Sequence, residues 1–449
     1  MCARTPDADD NPETGRRMKV LIIGGGGREH ALAWKLIQSP RVDEVLVAPG
    51  NAGTAREPGV RNLDVAVGDI EGLVAVARNE AVGLTLVGSE APLVAGVVDR
   101  FQREGLAIFG PTAAAARLEG SKSFSKDFLA RHAIPTARYQ SFTEVAPALD
   151  YLDRYLEESG LPVVIKADGL ASGKGVIVAT EADQARAAVR DMLEDNAFGD
   201  AGARVVIEEY LDGEEASFIV MADGRHVVEM ATSQDHKRVG DGDSGPNTGG
   251  MGAYSPAPVV TEAVRQRVMN DIIYPTIAGM AADDHPYVGF LYAGLMIDKE
   301  GAPKVIEFNC RLGDPETQPI MLRLESDLLE LCEAAIDGRL DRQSCRWDAR
   351  PAVGVVMAAD GYPGSYRKGD AIRGLDSAER LGCRVFHAGT AESEQGNVVT
   401  AGGRVLCVTA PGEDVRQARD LAYAGVEAIQ FEGGFYRRDI AARAIDRRS

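Results

Sequence analysis

No stretch of this chain approaches the roughly 20 consecutive apolar residues that a membrane-spanning helix requires, so no segment reads as a bilayer span. Cysteine is sparse and unpatterned. Cys2, Cys310, Cys332, Cys345, Cys383 and Cys407 include no CxxC pair, which argues against a zinc site or a disulfide framework and fits a reducing cytosol. Positive charge is in deficit: 49 Lys and Arg stand against 68 Asp and Glu, a formal net charge of −19. A surface of that sign repels nucleic acid and anionic lipid, so neither is an expected partner. If such a chain handles phosphates, it must gather cations locally, and those clusters mark the site. The opening MCARTPDADDNPETGRR has no apolar h-region and is rich in Asp, Pro, Glu and Arg. Residues 1–17 therefore read as a disordered extension or a mis-set start codon, not a targeting signal, with the fold starting near Met18.

What is present is ordinary globular material, 45% hydrophobic and 26% charged, in 449 residues that suit roughly three domains. The strand KVLII (Lys19–Ile23), a glycine run and REHALAWKLIQ, with Leu32, Leu36 and Ile37 at helical spacing, precede the strand EVLVA (Glu44–Ala48). This is a Rossmann-like βαβ start to an α/β domain over residues 18–120. A second, α+β unit runs over 121–346. It contains a helix from Ser121, a small lobe at about 137–211 and the paired strands FLYAGLMID and PKVIEFNC. A β-rich third domain spans 347–449 and closes with a helix near Glu413–Ile429.

The glycines Gly24–Gly27 invite a dinucleotide reading, which fails on two counts. The third glycine of G-x-G-x-x-G falls on Glu29 or His30, and no acidic residue follows the second strand after Ala48. A glycine turn at a helix N-terminus can still hold a phosphate, with Arg28 to help, or can be a tight turn that lets the helix pack. A second glycine loop follows Lys166 in IKADGLASGKGV. Gly169, Gly173 and Gly175 allow it to close over phosphates, Lys166 supplies a fixed charge and Lys174 is a further candidate. It joins two strands and is not a P-loop. Downstream, Glu208 and Leu211 mark a strand edge followed by Glu215, an acid able to hold ribose hydroxyls.

Glu307 and Asn309 lie two apart on a strand and share one face, with Ile306 and Phe308 expected in the core. Two oxygen ligands suit Mg²⁺, which takes its remaining ligands from phosphates and water. Cys310 alternates to the opposite face and reads as core. The stretches DHKR (Asp235–Arg238) and GPNTGGMG (Gly245–Gly252) read as an active-site loop in preference to an ordinary surface loop, with His236 a ligand, structural or solvated.

Together these residues resemble the ATP-grasp superfamily. GGGGREHALAWKL, APGNAGTA, EGSKSFSKDFLARHAIPTA, IKADGLASGKGV, SQDHKRVGDGDSGPNTGGMGAYSPAP and VIEFNCRLGDPETQP resemble, within it, the phosphoribosylamine–glycine ligase family, from Met18 nearly to the C-terminus. The resemblance implies an ATP-grasp core with a mobile lid. Lys122 and Lys166 would bind ATP phosphates, with Gly169, Ser172, Gly173, Lys174 and Gly175 in the lid loop. Glu208, Glu209 and Leu211 would line the adenine through backbone groups, with Glu215 on the ribose. Glu307 and Asn309 would hold Mg²⁺ or Mn²⁺. A further acidic ligand common in the superfamily is replaced by Met296, and Ser89 stands where the family usually has proline. Co-substrates would be held by Gly26, Gly27, Arg28, Glu29, Asn51, Glu90, Asp235, Lys237, Arg238, Asn247, Thr248, Gly249, Gly250, Arg311, Asp314 and Glu316, their division between glycine and phosphoribosylamine left open.

The chemistry so implied is phosphorylation of glycine's carboxylate by ATP and displacement of phosphate by the amine, with Lys166 and Arg311 as the catalytic cations. The expected partners are glycine, 5-phosphoribosylamine and ATP, with the chain a cytoplasmic monomer. No convincing Ser/His/Asp or Cys/His set is present. A related ATP-grasp ligase would differ only in the co-substrate loops. A non-catalytic ATP sensor would not need Lys166, Glu307 and Asn309 together.

Overall fold

The computed structural model describes residues 17–169, 175–194 and 204–447. The first sheet has five parallel strands, ordered Val60–Asn62, Val42–Pro49, Met18–Gly24, Val82–Val87 and Ile108–Phe109. Val20, Leu21, Ile22 and Ile23 are all wholly buried, as befits a parallel strand covered on both faces. Strand order reverses between Met18–Gly24 and Val82–Val87. Ligands of open α/β sheets bind outside the strand ends at such a point. The helices that follow these two strands carry Arg28 and Glu90 in their first turns.

A four-stranded antiparallel sheet follows, ordered Val227–Glu229, Glu214–Asp223, Val288–Ile297 and Pro303–Asn309. Gly294 faces Glu307 and Tyr292 faces Asn309, but the next partner of the ladder, Leu295, pairs with Val305. Ile306 is thus an extra residue in a bulge. This corrects the expectation that it joins Phe308 in the core: Phe308 is buried, whereas Ile306 is half-buried and lines the cavity described below. The bulge keeps Lys304, Glu307 and Asn309 on one side although their spacing is mixed.

A small lobe stands over this sheet. Its strands, ordered Tyr139–Phe142, Val205–Glu209, Val163–Ala167 and Val176–Ala179, pack helices Val145–Ser159 and Ala182–Leu193 around a separate core including Leu152, Ile165, Val189 and Ile207. By contrast, the parallel sheet shares one hydrophobic cluster with the central sheet and with Phe386 and Cys407 of the C-terminal part.

The last sheet is ordered Gln234–Asp235, Gly252–Ser255, Ala352–Ala358, Arg404–Pro411 and Arg384–His387, covered by helix Val415–Ala428. Two of its strands come from the N-terminal side of the 346/347 boundary expected from the sequence. Short strands carry too little pattern to show which sheet they complete, and this pairing joins residues distant in the chain. Among the described residues no helix is long and apolar enough to cross a membrane.

Candidate functional site

Where the lobe, the central sheet, the parallel sheet and the C-terminal part meet lies a cavity of about 630 Å³. Among the described residues seven cations line it: Arg28, Lys122, Lys126, Lys166, Lys237, Arg311 and Arg404. In a chain of net charge −19 this is a dense cluster of cations, interleaved on the same walls with nine carboxylates among the described residues.

At the lobe end, Lys166 leaves strand Val163–Ala167 and is 4% exposed, so its position is set by the sheet. Its Nζ donates to Glu208 Oε2 at 3.0 Å and to the Ile306 carbonyl at 3.2 Å. Glu208 Oε2 also lies 2.9 Å from Lys126 Nζ. The Glu208 carboxylate is therefore a buried mount for two lysines, a role beyond the backbone contact expected of it. Burial pushes Lys126 down to about 8 despite this partner, which it shares with Lys166.

Lys122 begins helix Lys122–Arg131 and donates to the Gly169 carbonyl at 2.9 Å, where the glycine loop departs. Burial lowers its pKa. Asp168 ties the same place down, accepting from Ser121 Oγ at 3.1 Å, Ser123 N at 3.1 Å and Ser123 Oγ at 2.6 Å. Gly169, with φ +119°, Gly175, Glu209 and Leu211 line the cavity. Ser172, Gly173 and Lys174 lie outside the described residues.

On strand Pro303–Asn309, Glu307 and Asn309 face the cavity, and Met296 lines it on the neighbouring strand between Glu215 and Lys304. Burial alone would raise the Glu307 pKa. Lys237, Lys166, Lys122 and Arg311 outweigh it, so the carboxylate is held below its usual range. Among the described residues no hydrogen bond or ion pair engages the side chains of Glu307 or Asn309.

Beyond this strand, Arg311 Nη2 lies 2.9 Å from Glu119 Oε1, and Arg311 Nε lies 3.4 Å from Glu90 Oε2. Arg28 is anchored through Nε on Glu29 at 2.7 Å and Nη1 on the Leu312 carbonyl at 3.0 Å. Asp314 Oδ2 meets Arg404 Nη2 at 3.2 Å. Arg404 Nη1 also donates to the carbonyls of Gly249 at 2.7 Å and Asp314 at 2.6 Å. Lys237 pairs with Glu215 at 2.9 Å. Burial would lower Lys237, but Glu215, Asp235 and Glu307 hold it well above its ordinary value. Burial pushes Asp235 up to about 7. Glu316 accepts from Tyr292 OH at 2.7 Å and Ser217 Oγ at 3.1 Å. Asn247, Thr248 and Gly249 complete the wall.

With this geometry in place, similarity is decisive. Residues 18–119 match the phosphoribosylglycinamide synthetase N domain, 120–317 its ATP-grasp (A) domain and 352–443 its C domain. The phosphoribosylamine–glycine ligase of Escherichia coli (strain K12) is 66% identical over 430 residues, covering 96% of this chain and 99% of that protein. That of Vibrio vulnificus (strain CMCP6) is 64% identical with the same coverage. The chain belongs to the phosphoribosylglycinamide synthetase family. A crystal structure of the Thermotoga maritima phosphoribosylamine–glycine ligase is similar at a TM-score of 0.81 and 34% identity, covering 94% of this chain and all of that one. The biotin carboxylase domain of a Hydrogenobacter thermophilus 2-oxoglutarate carboxylase, at 17% identity and a TM-score of 0.69, covers 94% of this chain and 92% of that one and shares the fold.

For this synthetase, several residues singled out in the sequence do not line the cavity. Glu29 is 2% exposed and accepts from Gly26 N at 2.6 Å, so it closes the glycine turn itself. A Cβ at Gly24 would meet Glu29 Cγ at 2.4 Å. Asn51 is spent on backbone groups, accepting from Gly53 N and donating to the Gly25 and His387 carbonyls. Gly26 and Gly27 belong to this closed turn, at the N-terminus of helix Gly27–Leu36. Arg238 donates to the Gly245 carbonyl at 2.7 Å, and Gly250, at φ +115°, packs against Pro315. His236 is 2% exposed with its pKa pushed by burial to about 3, a neutral structural histidine. Cys310 is buried as expected.

Sequence reasoning missed Lys126, Glu119, Arg404 and Tyr362, whose hydroxyl accepts from Gly249 N at 3.1 Å. Lys126 had one local signal, its place one helical turn after Lys122. The others carry no motif.

Proposed function

We propose that this ligase joins glycine to 5-phosphoribosylamine, converting ATP to ADP and phosphate and yielding glycinamide ribonucleotide in cytoplasmic purine biosynthesis, as a monomer. The observation that carries the reading is the pair Glu307 and Asn309, unpartnered among the described residues, amid Lys122, Lys166, Lys237 and Arg311, in a chain of this family. Glycine's carboxylate oxygen attacks the γ-phosphorus and the bond to the β,γ-bridging oxygen breaks, releasing ADP. The amine then attacks the acyl carbon, phosphate leaves and the nitrogen loses a proton. The first step spreads negative charge over the transferring group, which preorganised cations stabilise most in a dry site.

Lys122 and Lys166 would take ATP phosphates, Glu209 and Leu211 the base and Glu215 the ribose, while Arg311 would meet the activated carboxylate. Glu307 and Asn309 fit Mg²⁺ or Mn²⁺: both are oxygen donors on one face, one is ionised, and the remaining ligands would be water and phosphate. Such an ion would neutralise phosphate charge. The lobe at 137–211 would exclude water from the acyl phosphate, consistent with its separate core.

ADP release measured over a panel of acids and amines tests this. Release that requires both glycine and phosphoribosylamine is expected. Release with another acid–amine pair and none with these would assign the protein to a different ATP-grasp ligase.

A further inference from the structure

Glycine enters as a zwitterion, so its ammonium group needs an acidic partner. Its carboxylate is the group to be activated, beside Arg311. Covalent geometry puts the ammonium nitrogen only about 2.5 Å from the carboxyl carbon. The acid that receives it must therefore stand next to Arg311. Among the described residues, two carboxylates form ion pairs with Arg311: Glu119 and Glu90.

Glu119 is committed. Its side chain is 7% exposed, Oε1 lies 2.9 Å from Arg311 Nη2, and Oε2 accepts from the backbone N–H of Cys310 at 2.7 Å. Glu90 is not. Its side chain is 31% exposed and lines the cavity, and among the described residues its ion pairs both run through Oε2, 3.4 Å from Arg311 Nε and 4.0 Å from Arg28 Nη2. Both are long ion-pair contacts, and among the described residues the buried Arg311 Nε makes no well-formed hydrogen bond. Arg28 is anchored on Glu29 and Leu312, so it does not follow Glu90. Of the neighbouring acids, Glu316 is engaged by Ser217 and Tyr292, and Asp314 by Arg404 and Gln318.

We propose that Glu90 receives the ammonium group of glycine, while Arg311, held in place by Glu119, receives its carboxylate. This rests on the proposed ligase activity and assigns Glu90 specifically to the amino acid. Glu90 begins helix Glu90–Val94 directly after strand Val82–Val87, at the strand-order reversal of the parallel sheet. The amino acid would therefore sit where the first sheet meets the central one.

The test compares wild type with Glu90→Gln and Glu90→Asp, using glycine as substrate and glycolate, which lacks the ammonium group, as competitive inhibitor. Glu90→Gln should raise the glycine KM about tenfold or more, the usual scale for a lost charge-assisted bond, and leave the ATP KM and the glycolate inhibition constant near wild type. Glu90→Asp should recover part of the glycine affinity. An unchanged glycine KM in Glu90→Gln overturns the proposal. Equal weakening of glycine and glycolate also overturns it, because Glu90 would then act only through Arg311. Wild-type enzyme without glycine-dependent ADP release would instead defeat the ligase reading, an outcome distinct from both.

Discussion

At the scale of single residues, Glu307 shows how charge is tuned by its surroundings. A buried carboxylate ordinarily resists ionisation, but four cations converge on this one and keep it charged without a direct partner among the described residues. In the proposed function this charge is the one that would hold a divalent cation. Glu307→Ala should cut glycine-dependent ADP release by on the order of 10²–10³-fold, the scale of removing one preorganised electrostatic element. The melting temperature should stay close to wild type, since no recorded bond is lost. Near-normal turnover at ordinary Mg²⁺ would show that the metal lies elsewhere. The strand period made the Glu307–Asn309 pair legible in the sequence. The role of Lys126 was not, because it depends on Glu208, which reaches it only through the folded lobe.

At the scale of elements, the glycine hairpin is anchored more firmly than its composition suggests. Asp168 binds the start of helix Lys122–Arg131 through Ser121 and Ser123, and Lys122 binds back to Gly169. Helix start and loop base thus form one unit that aims Lys122 and Lys166 at a common place. Asp168→Asn removes the charge from these contacts and offers a donor where acceptors are needed. The ATP KM should rise about tenfold, or roughly 1.4 kcal/mol, with a smaller effect on kcat. An unchanged ATP KM would mean that the loop is positioned independently of this anchor. The hairpin and its lysines were readable from glycine spacing. The anchor was not, since an aspartate before a glycine in a turn has many local uses.

At the scale of the molecule, the C-terminal part is built into the site. Its sheet includes Gln234–Asp235 and Gly252–Ser255, and Arg404 reaches from strand Arg404–Pro411 to hold Gly249 and Asp314. Arg404→Ala should lower kcat/KM for the co-substrates by about 100-fold, or roughly 2.7 kcal/mol, because two wall segments lose their shared donor and Asp314 loses its counter-ion. ATP affinity, measured by calorimetry, should hold. Equal loss of ATP binding would indicate a general loosening of the fold.

The sequence alone determined what depends on local order: the βαβ start, the strand–glycine–strand hairpin, and the one-sided pair Glu307 and Asn309. Periodicity and glycine placement act over a few residues, so a linear reading captures them. Only the tertiary structure decided which charges meet. It turned Glu29 and Asn51 inward to close a turn, put Ile306 into a bulge on the cavity side, and brought Glu90, Glu119 and Arg311 together from separate parts of the chain. Ion pairing falls off within a few ångströms, whereas the chain separation of these partners carries no trace of their distance in space.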